Sequence, residues 1–467
     1  MTIPYRLLAA SLGLLLAAFA LYALWTIPSL LPRWGASPAG FALFVGWLAL
    51  AAAAWPLARG RWTGRRVWIP LLAVVVLLRL AVLGMTWGHV PAGDPIIYVR
   101  LARDMLAGHG LSFTDPFTGV TFRALYPPLY PVLLAAAGAL LGLGPVMLWA
   151  SNLLCDGIAA WLIVRIGDRA GSRPAGLAAA CLYLVWPTFI LATPFAQKEP
   201  LVATLVLALA LRLLRLRAHA PKTGDAAIFG LLTGLLALTQ PGLATMPLMF
   251  ALLLLPVLGL PRLFALAWRS IPVFLLVMAP WWIRNGLLFG QFVPLTSTGG
   301  LGLWIGNNPH ATGNWMMLPP EIGRLPELEQ SARAAAVAKA WIIAHPVDML
   351  RINLIKLVRT FGIEQFTLVR ATLLRPALPA AIAPALLPLL QGALFTLLVA
   401  TTGSMHRALH VKSGRLILLL LAAVVAQLLL FDLWFEFAER HRYVVMPFLF
   451  LTLGFAIADR NAPRPTA

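Results

Sequence analysis

Long apolar runs, separated by short polar segments, make up most of this 467-residue chain. Twelve runs are near the roughly 20 residues that an α-helix needs to cross a bilayer. They predict spans at about 7–25, 40–58, 67–87, 145–165, 174–195, 199–217, 226–242, 244–259, 271–290, 375–400, 414–434 and 442–458. The runs lack the strict apolar–polar alternation of a membrane β-barrel. We therefore expect an all-α, polytopic membrane protein.

Two segments between the spans are long, at about 88–127 and 291–374. The first contains a predicted amphipathic helix, Pro95–Gly108. The second continues into a predicted helix, Glu327–Ala344, and then into Pro346–Gly362, which has the mixed basic and apolar make-up of an interfacial helix. The apolar segment Tyr130–Gly144 is too short for a span, and we expect it to be interfacial or re-entrant.

Composition supports the membrane class and gives an orientation. The chain is 61% hydrophobic and carries a formal net charge of +20. Its basic residues are scattered between the spans rather than gathered in one patch, so we expect contact with membrane lipids and not with nucleic acid. The positive-inside rule places both termini in the cytoplasm and both long loops on the outer side. Cys155 and Cys181 lie within spans, which excludes a disulfide framework.

Asp94 follows directly on the third predicted span, and an ionisable side chain beside hydrocarbon suggests function. Because Pro95 follows it, Asp94 could equally be the N-cap of the next helix. The two interpretations are compatible, since a helix N-terminus keeps a carboxylate ionised. Glu199 lies at another predicted outer boundary. It is either a helix-end residue paired with Lys198 or a second acid facing the same cavity.

Basic and polar residues gather at two further boundaries. Arg284 and Asn285 follow Trp281 and Trp282 near the end of a span, where an interfacial belt explains the tryptophans better than the arginine. The segment from Glu436 to Tyr443 is a dense polar cluster between apolar spans. It is either a set of mutually neutralising loop charges or a phosphate clamp. The histidines lack zinc-site spacing, and the chain has no nucleotide-binding glycine motif.

Taken in order, these motifs resemble a known superfamily. They are Asp94 with Tyr98, the segment Arg123–Pro131, Pro280–Asn285 with Gly306–Pro309, and Arg442-Tyr443 before Met446-Pro447. The ordered set resembles the GT-C membrane glycosyltransferases that use polyprenyl-phosphate-linked sugars. Relatives are protein O-mannosyltransferases, lipid A aminoarabinose transferases and lipopolysaccharide-core galacturonosyltransferases. The resemblance covers about residues 67–458, which leaves 1–66 as two additional helices and 459–467 as a cytoplasmic tail.

The resemblance implies transfer of a sugar from a polyprenyl phosphate to a lipid, glycan or protein acceptor, with inversion, on the periplasmic face of a bacterial inner membrane. It implies catalytic roles for Asp94 and Glu199. It also implies sets of residues that bind the donor phosphate or the substrates. The phosphate set is Lys198, Arg284, Arg440 and Arg442, and the substrate set is Tyr98, Arg123, Tyr126, Asn285, Asn308, His441 and Tyr443.

One position departs from the family pattern. Many relatives carry a second acid directly after the first, and this chain has Pro95 there. We therefore expect no cofactor, and nothing in the sequence requires a metal. We expect the protein to act as a monomer. Two alternatives stay open: a twelve-span transporter or flippase, and an O-antigen ligase or polymerase that uses a diphosphate donor.

Overall fold

The computed structural model describes residues 3–62, 65–88, 93–373, 382–410 and 412–458, and these fold almost entirely into helices. The α-helices, in chain order, are α1 (Ile3–Trp25), α2 (Ile27–Trp34), α3 (Pro38–Ala52), α4 (Ala54–Ala58), α5 (Arg65–Met85), α6 (Asp94–Leu106), α7 (Leu129–Leu141), α8 (Pro145–Ala170), α9 (Arg173–Leu184), α10 (Pro187–Leu191), α11 (Glu199–Arg215), α12 (Thr223–Ala237), α13 (Met246–Leu258), α14 (Leu260–Phe289), α15 (Gly299–Gly306), α16 (Pro320–Gly323), α17 (Glu327–Ala344), α18 (Pro346–Gly362), α19 (Gln365–Leu373), α20 (Ile382–His410), α21 (Lys412–Gln427) and α22 (Met446–Ala458).

The prediction of an all-α polytopic membrane fold is confirmed. Within the described ranges, nine helical stretches are long and apolar enough to cross a bilayer. They are Pro4–Trp25, Pro38–Ala58, Trp68–Met85, Pro145–Ala170, Pro241–Leu258, Leu260–Phe289, Pro384–His410, Ser413–Asp432 and Glu439–Ala458. The other three predicted spans correspond to shorter helices, α9 with α10, α11 and α12. The count of twelve therefore stays a prediction.

The predicted span at 174–195 is interrupted, and the reason is local. Trp186 has an extended backbone, with φ −67° and ψ 123°, because the residue before a proline avoids the helical region. Helix α10 then starts at Pro187. The indole nitrogen of Trp47 in α3 donates to the exposed carbonyl of Val185 at 3.1 Å. The carbonyl that the break leaves without a helical partner therefore has a hydrogen bond inside the apolar core.

The N-terminal helices pack against helices from the end of the chain. Helices α1 and α3 lie along α20, and α4 lies against α9. Phe19 of α1 stacks on Phe361 of α18 with ring centroids 4.8 Å apart. At the centre, α22 is buried over almost its whole length against α9 and α20. The described residues up to position 62 thus share one core with later helices, and the domain division drawn from the sequence stays a prediction.

The helices predicted in the long loops are confirmed. The amphipathic helix is α6, and α17 and α18 have the predicted bounds. The segment at 130–144 forms the short apolar helix α7. The sequence did not predict the small antiparallel hairpin of β1 (Phe113–Thr114) and β2 (Thr121–Phe122). The predicted tail, 459–467, lies outside the described residues.

Candidate active site

Asp94 occupies the first position of α6, so the prediction that it is the N-cap is wrong. Gly93 is the N-cap residue, and its positive φ of 79° is a conformation that glycine adopts at little cost. With the cap position taken, the carboxylate of Asp94 points to partners outside its own helix. It still lies at the positive end of the helix dipole, which favours its ionised form.

Asp94 joins the first long loop to the last loop of the chain. Its Oδ1 accepts a hydrogen bond from the hydroxyl of Tyr126 at 2.9 Å, and its Oδ2 forms an ion pair with the guanidinium of Arg440. Arg440 is 346 positions away in sequence. The other Nη of Arg440 pairs with Glu436 at 3.0 Å. One guanidinium therefore lies between two carboxylates, and its planar shape suits that geometry.

Three tyrosine rings pack together beside the carboxylate of Asp94. The ring of Tyr98 stacks on Tyr126 at 4.6 Å and meets Tyr130 edge to face at 4.9 Å. Burial, and then the charge of Asp94, raises the pKa of both Tyr98 and Tyr126 well above the usual value. The phenol of Tyr126 therefore stays protonated and donates to Asp94 at every physiological pH.

Glu199 and Pro200 begin α11 as Asp94 and Pro95 begin α6, and Lys198 is the N-cap residue of α11. Burial lowers the pKa of Lys198, while the charges of Glu199 and Asp94 oppose that shift and Arg440 adds to it. Lys198 therefore belongs to the same electrostatic cluster. Within the described ranges, neither its ammonium nor the carboxylate of Glu199 has a hydrogen bond or an ion pair.

This cluster, which we name the Asp94 cluster, consists of Asp94, Lys198, Glu199, Glu436 and Arg440. The charges of these three acids and two bases act on one another, and within the described ranges Lys198 is the cation of the cluster without an ion pair. Across the part of the chain that the structure describes, no three His, Cys, Asp or Glu side chains are grouped as metal ligands. We assign no metal site.

Arg442 was expected to bind phosphate, and the structure places it in another network. Its guanidinium donates to the carbonyls of Thr360 at 2.7 Å and Ile363 at 2.6 Å, and it forms an ion pair with Glu364. Only 6% of the Arg442 side chain is exposed. Burial raises the pKa of Glu364, although Arg442 lowers it in part. Arg442 thus fastens the last loop to the end of α18.

Arg284 and Asn285, also predicted site residues, lie at the end of α14. Arg284 donates to the carbonyls of Leu111 at 3.1 Å and Arg123 at 2.8 Å, and to the side-chain oxygen of Asn285 at 2.8 Å. Asn285 donates in turn to the carbonyl of Val293 at 3.0 Å. These bonds tie the first long loop to α14. None of them reaches the Asp94 cluster.

Two more predicted residues complete local turns. Asn308 is buried and donates to the carbonyl of Trp304 at 2.9 Å, which closes the end of α15. The ring of His441 bonds to the backbone of Ala438 within the last loop. Their geometry is that of residues that shape loops beside the site.

Tyr443 and Arg123 end in different surroundings. Tyr443 stacks on Phe189 at 4.0 Å, and its buried hydroxyl has no partner among the described residues. The side chain of Arg123 is exposed, whereas its backbone nitrogen donates to Glu327 at 2.8 Å.

Sequence reasoning named Glu436 only as part of the polar cluster in the last loop, and it assigned no role to Glu327. Glu436 precedes Arg440 by four residues, a spacing that could have indicated the pair. Glu327 at the start of α17 accepts from the backbone nitrogens of Arg123 and Ala124, both at 2.8 Å, and so folds the second long loop against the first. No local pattern distinguishes Glu327 from an ordinary acid in the first turn of a helix.

Comparison with known proteins finds similar structures but no match in sequence. No protein-family model and no curated protein sequence matches the chain. The oligosaccharyltransferase of Archaeoglobus fulgidus, crystallised with zinc and sulfate, is similar in structure with a TM-score of 0.50 and 15% identity, over 83% of this chain and 48% of that one. ArnT from Cupriavidus metallidurans bound to undecaprenyl phosphate aligns over 85% of this chain and 77% of that one, with a TM-score of 0.42 and 15% identity.

The chain has a fold similar to that of the GT-C glycosyltransferases. It spans about half the length of the archaeal enzyme that it matches. At this level of identity the likeness shows the fold alone, and the chemistry rests on the residues.

Proposed function

We propose that this protein is a GT-C-type glycosyltransferase that moves a sugar from a polyprenyl phosphate to an acceptor hydroxyl. The Asp94 cluster is its active site. The observation that carries the proposal is the ion pair between Asp94 and Arg440. It joins Asp94, in the first motif of the family pattern, to Arg440, which lies 346 positions later and two positions before the last motif.

The cluster suits an inverting single displacement. The acceptor hydroxyl oxygen attacks the anomeric carbon, and its proton passes to the carboxylate of Asp94 acting as general base. The bond between the anomeric carbon and the donor phosphate oxygen breaks, and its electron pair stays on that oxygen. Tyr126 and Arg440 hold Asp94 from two sides, which fixes its lone pairs before the substrate arrives.

Lys198 is the group best suited to receive the phosphate. Its ammonium is half-buried and carries no partner in the described ranges, whereas Arg440 is already shared by two carboxylates. A partly desolvated cation stabilises a leaving phosphate more strongly than one in water. Glu199 beside it is the second acid available to orient the acceptor.

The same proposal includes the side of the membrane, the acceptor and the oligomeric state. The donor arrives within the bilayer, and the positive-inside rule places the site on the outer, periplasmic side of a bacterial inner membrane. The acceptor is a lipid, glycan or protein on that side, and the enzyme acts as a monomer.

Binding of undecaprenyl phosphate to the purified protein tests the donor class. We expect native mass spectrometry to show one bound lipid, and we expect Lys198→Met to weaken binding about tenfold or more because a charged hydrogen bond is lost. Lys339→Met, which removes an exposed lysine of α17, serves as the matched control. Preferential binding of undecaprenyl diphosphate would instead favour the ligase or polymerase alternative.

Transfer itself tests Asp94. With membranes and lipid-linked sugars of the source bacterium as substrates, we expect Asp94→Asn to lower turnover by about 10²- to 10⁴-fold, since Asn keeps the shape but cannot take a proton. Asp115→Asn, in a turn of the same loop, should leave turnover unchanged. Near-normal turnover by Asp94→Asn would contradict the proposal.

A further inference from the structure

A second charged network lies inside the helical bundle and has no part in the reaction described above. Arg79 of α5 and Asp156 of α8 form an ion pair at 2.7 Å, with side chains 0% and 1% exposed. The hydroxyl of Tyr183 donates to Asp156 at 2.8 Å. Two guanidinium nitrogens of Arg79 have no partner among the described residues. Burying such a pair costs several kcal/mol per ion, so stability alone is a weak reason for it.

The network touches one irregular segment, residues 192–198, between α10 and α11. Arg79 donates to the hydroxyl of Thr193 at 3.2 Å. Asn152, one turn before Asp156 on α8, donates to the carbonyls of Thr193 at 2.9 Å and Phe195 at 2.8 Å. These carbonyls are buried outside any helix, where an unpaired backbone group is costly. Asn152 and Arg79 therefore fix the path of the chain.

The segment ends at Lys198 and Glu199, only three residues after Phe195. Thr193 and Phe195 are 0% and 3% exposed, so the segment is enclosed by protein. The backbone immediately before Lys198 sets where its side chain starts. The bonds that Arg79 and Asn152 make to Thr193 and Phe195 leave this backbone few alternative arrangements.

We propose that Asn152, Arg79 and Asp156 are positioning residues that hold Lys198 and Glu199 opposite Asp94 and Arg440. The role of Lys198 in binding phosphate rests on the proposed function, whereas its placement by the network does not. The three residues act through the segment 192–198 and do not touch the substrate themselves.

Chemical modification of Lys198 tests the placement without any substrate. In the intact protein in detergent, the rate of Lys198 acylation is measured against pH by peptide mass spectrometry. We expect Asn152→Leu to raise the apparent pKa of Lys198 towards the ordinary value of about 10.4, because the loosened segment exposes the ammonium to water. We also expect it to weaken undecaprenyl phosphate binding about five- to tenfold.

Gln391→Leu is the matched control. Gln391 is likewise a buried amide that donates to two carbonyls, those of Ala23 at 3.0 Å and Gly362 at 2.9 Å, but it does not bond to residues 192–198. This variant should lose comparable stability while the acylation profile of Lys198 stays unchanged. An equal shift of Lys198 in both variants would show general loosening and would overturn the proposal.

A double variant tests the same network with a lower risk that the protein fails to fold. Arg79→Met with Asp156→Leu removes both charges together, which proteins often tolerate, whereas one change alone leaves an unpaired buried charge. We expect this variant to shift Lys198 in the same direction as Asn152→Leu. An unchanged profile in both variants would overturn the inference. A shifted profile with unchanged lipid binding would support positioning and contradict the proposed function.

Discussion

At the scale of single residues, Lys198 makes the sharpest prediction. Its pKa is lowered by burial, so its charge is lost at a lower pH than that of an ordinary lysine. If Lys198 binds phosphate, affinity for undecaprenyl phosphate falls as pH rises through the alkaline range, at a pH below the ordinary lysine pKa of about 10.4. The lipid phosphate, whose second pKa is about 6, keeps its charge throughout this range.

Lys198→Arg separates this effect from others that depend on pH. Arginine stays charged over the whole range, so binding by this variant should be nearly independent of pH even if its affinity is lower. Fluorescence or calorimetric titration at several pH values measures both curves. Parallel curves for the two proteins would show that Lys198 is not the titrating group.

Single residues also show how far the sequence predicts the site. Asp94 and Arg440 were identified from their position beside apolar spans, and the structure pairs them. Arg442, only two positions further along, has the same side chain and a different environment. Arg442 faces inwards because it donates to the carbonyls of Thr360 and Ile363. These residues are distant in sequence, so no local pattern predicts the orientation of Arg442.

At the scale of elements, helices α17 and α18 were predictable because proline and periodicity mark their ends. The way in which the loops pack against one another was not predictable from the sequence. Helix α15 packs against the last loop so tightly that a Cβ on Gly306 would lie 2.4 Å from the carbonyl oxygen of Phe435. The buried ammonium of Lys356 donates to the carbonyls of both residues, at 3.2 and 3.1 Å.

Gly306→Ala should therefore disturb the element that carries Glu436 and Arg440. We expect a cost of about 1–3 kcal/mol from overpacking, a lower melting temperature and weaker undecaprenyl phosphate binding. Gly299→Ala in the same helix is the control, since its Cβ meets nothing within 4 Å. Equal melting temperatures and affinities for the two variants would show that close contact at Gly306 is unimportant.

At the scale of the whole molecule, contacts between distant loops constrain the number of crossings. Arg262 donates to the carbonyl of Leu216 at 3.0 Å, and Arg217 to that of Arg169 at 3.4 Å. These loops lie on one side, so an even number of crossings separates each pair. Only one of the nine long stretches lies between Leu216 and Arg262, which implies that the shorter α12 crosses as well.

The same reasoning applies to Lys198, which shares the Asp94 cluster with Arg440. If α8 carries the chain from the side of Asp94 to that of Arg169, the chain must return to reach Lys198 and cross again to reach Arg217. We predict that helices α9 with α10, and then α11, provide these two crossings. Together with α12 they would raise the nine long stretches to the twelve crossings predicted from the sequence.

Twelve crossings put both long loops on one side, and cysteine labelling in intact spheroplasts measures this directly. Cys155 and Cys181 are buried, so the native background is low. We expect Phe117→Cys and Ile343→Cys, at positions that are 79% and 81% exposed, to react with a membrane-impermeant maleimide. Ala218→Cys should react only after permeabilisation, because the positive-inside rule predicts that the basic loop after α11 lies in the cytoplasm. Opposite labelling of the first two variants would mean an odd number of crossings between the long loops. It would also contradict a single active site built from both ends of the chain.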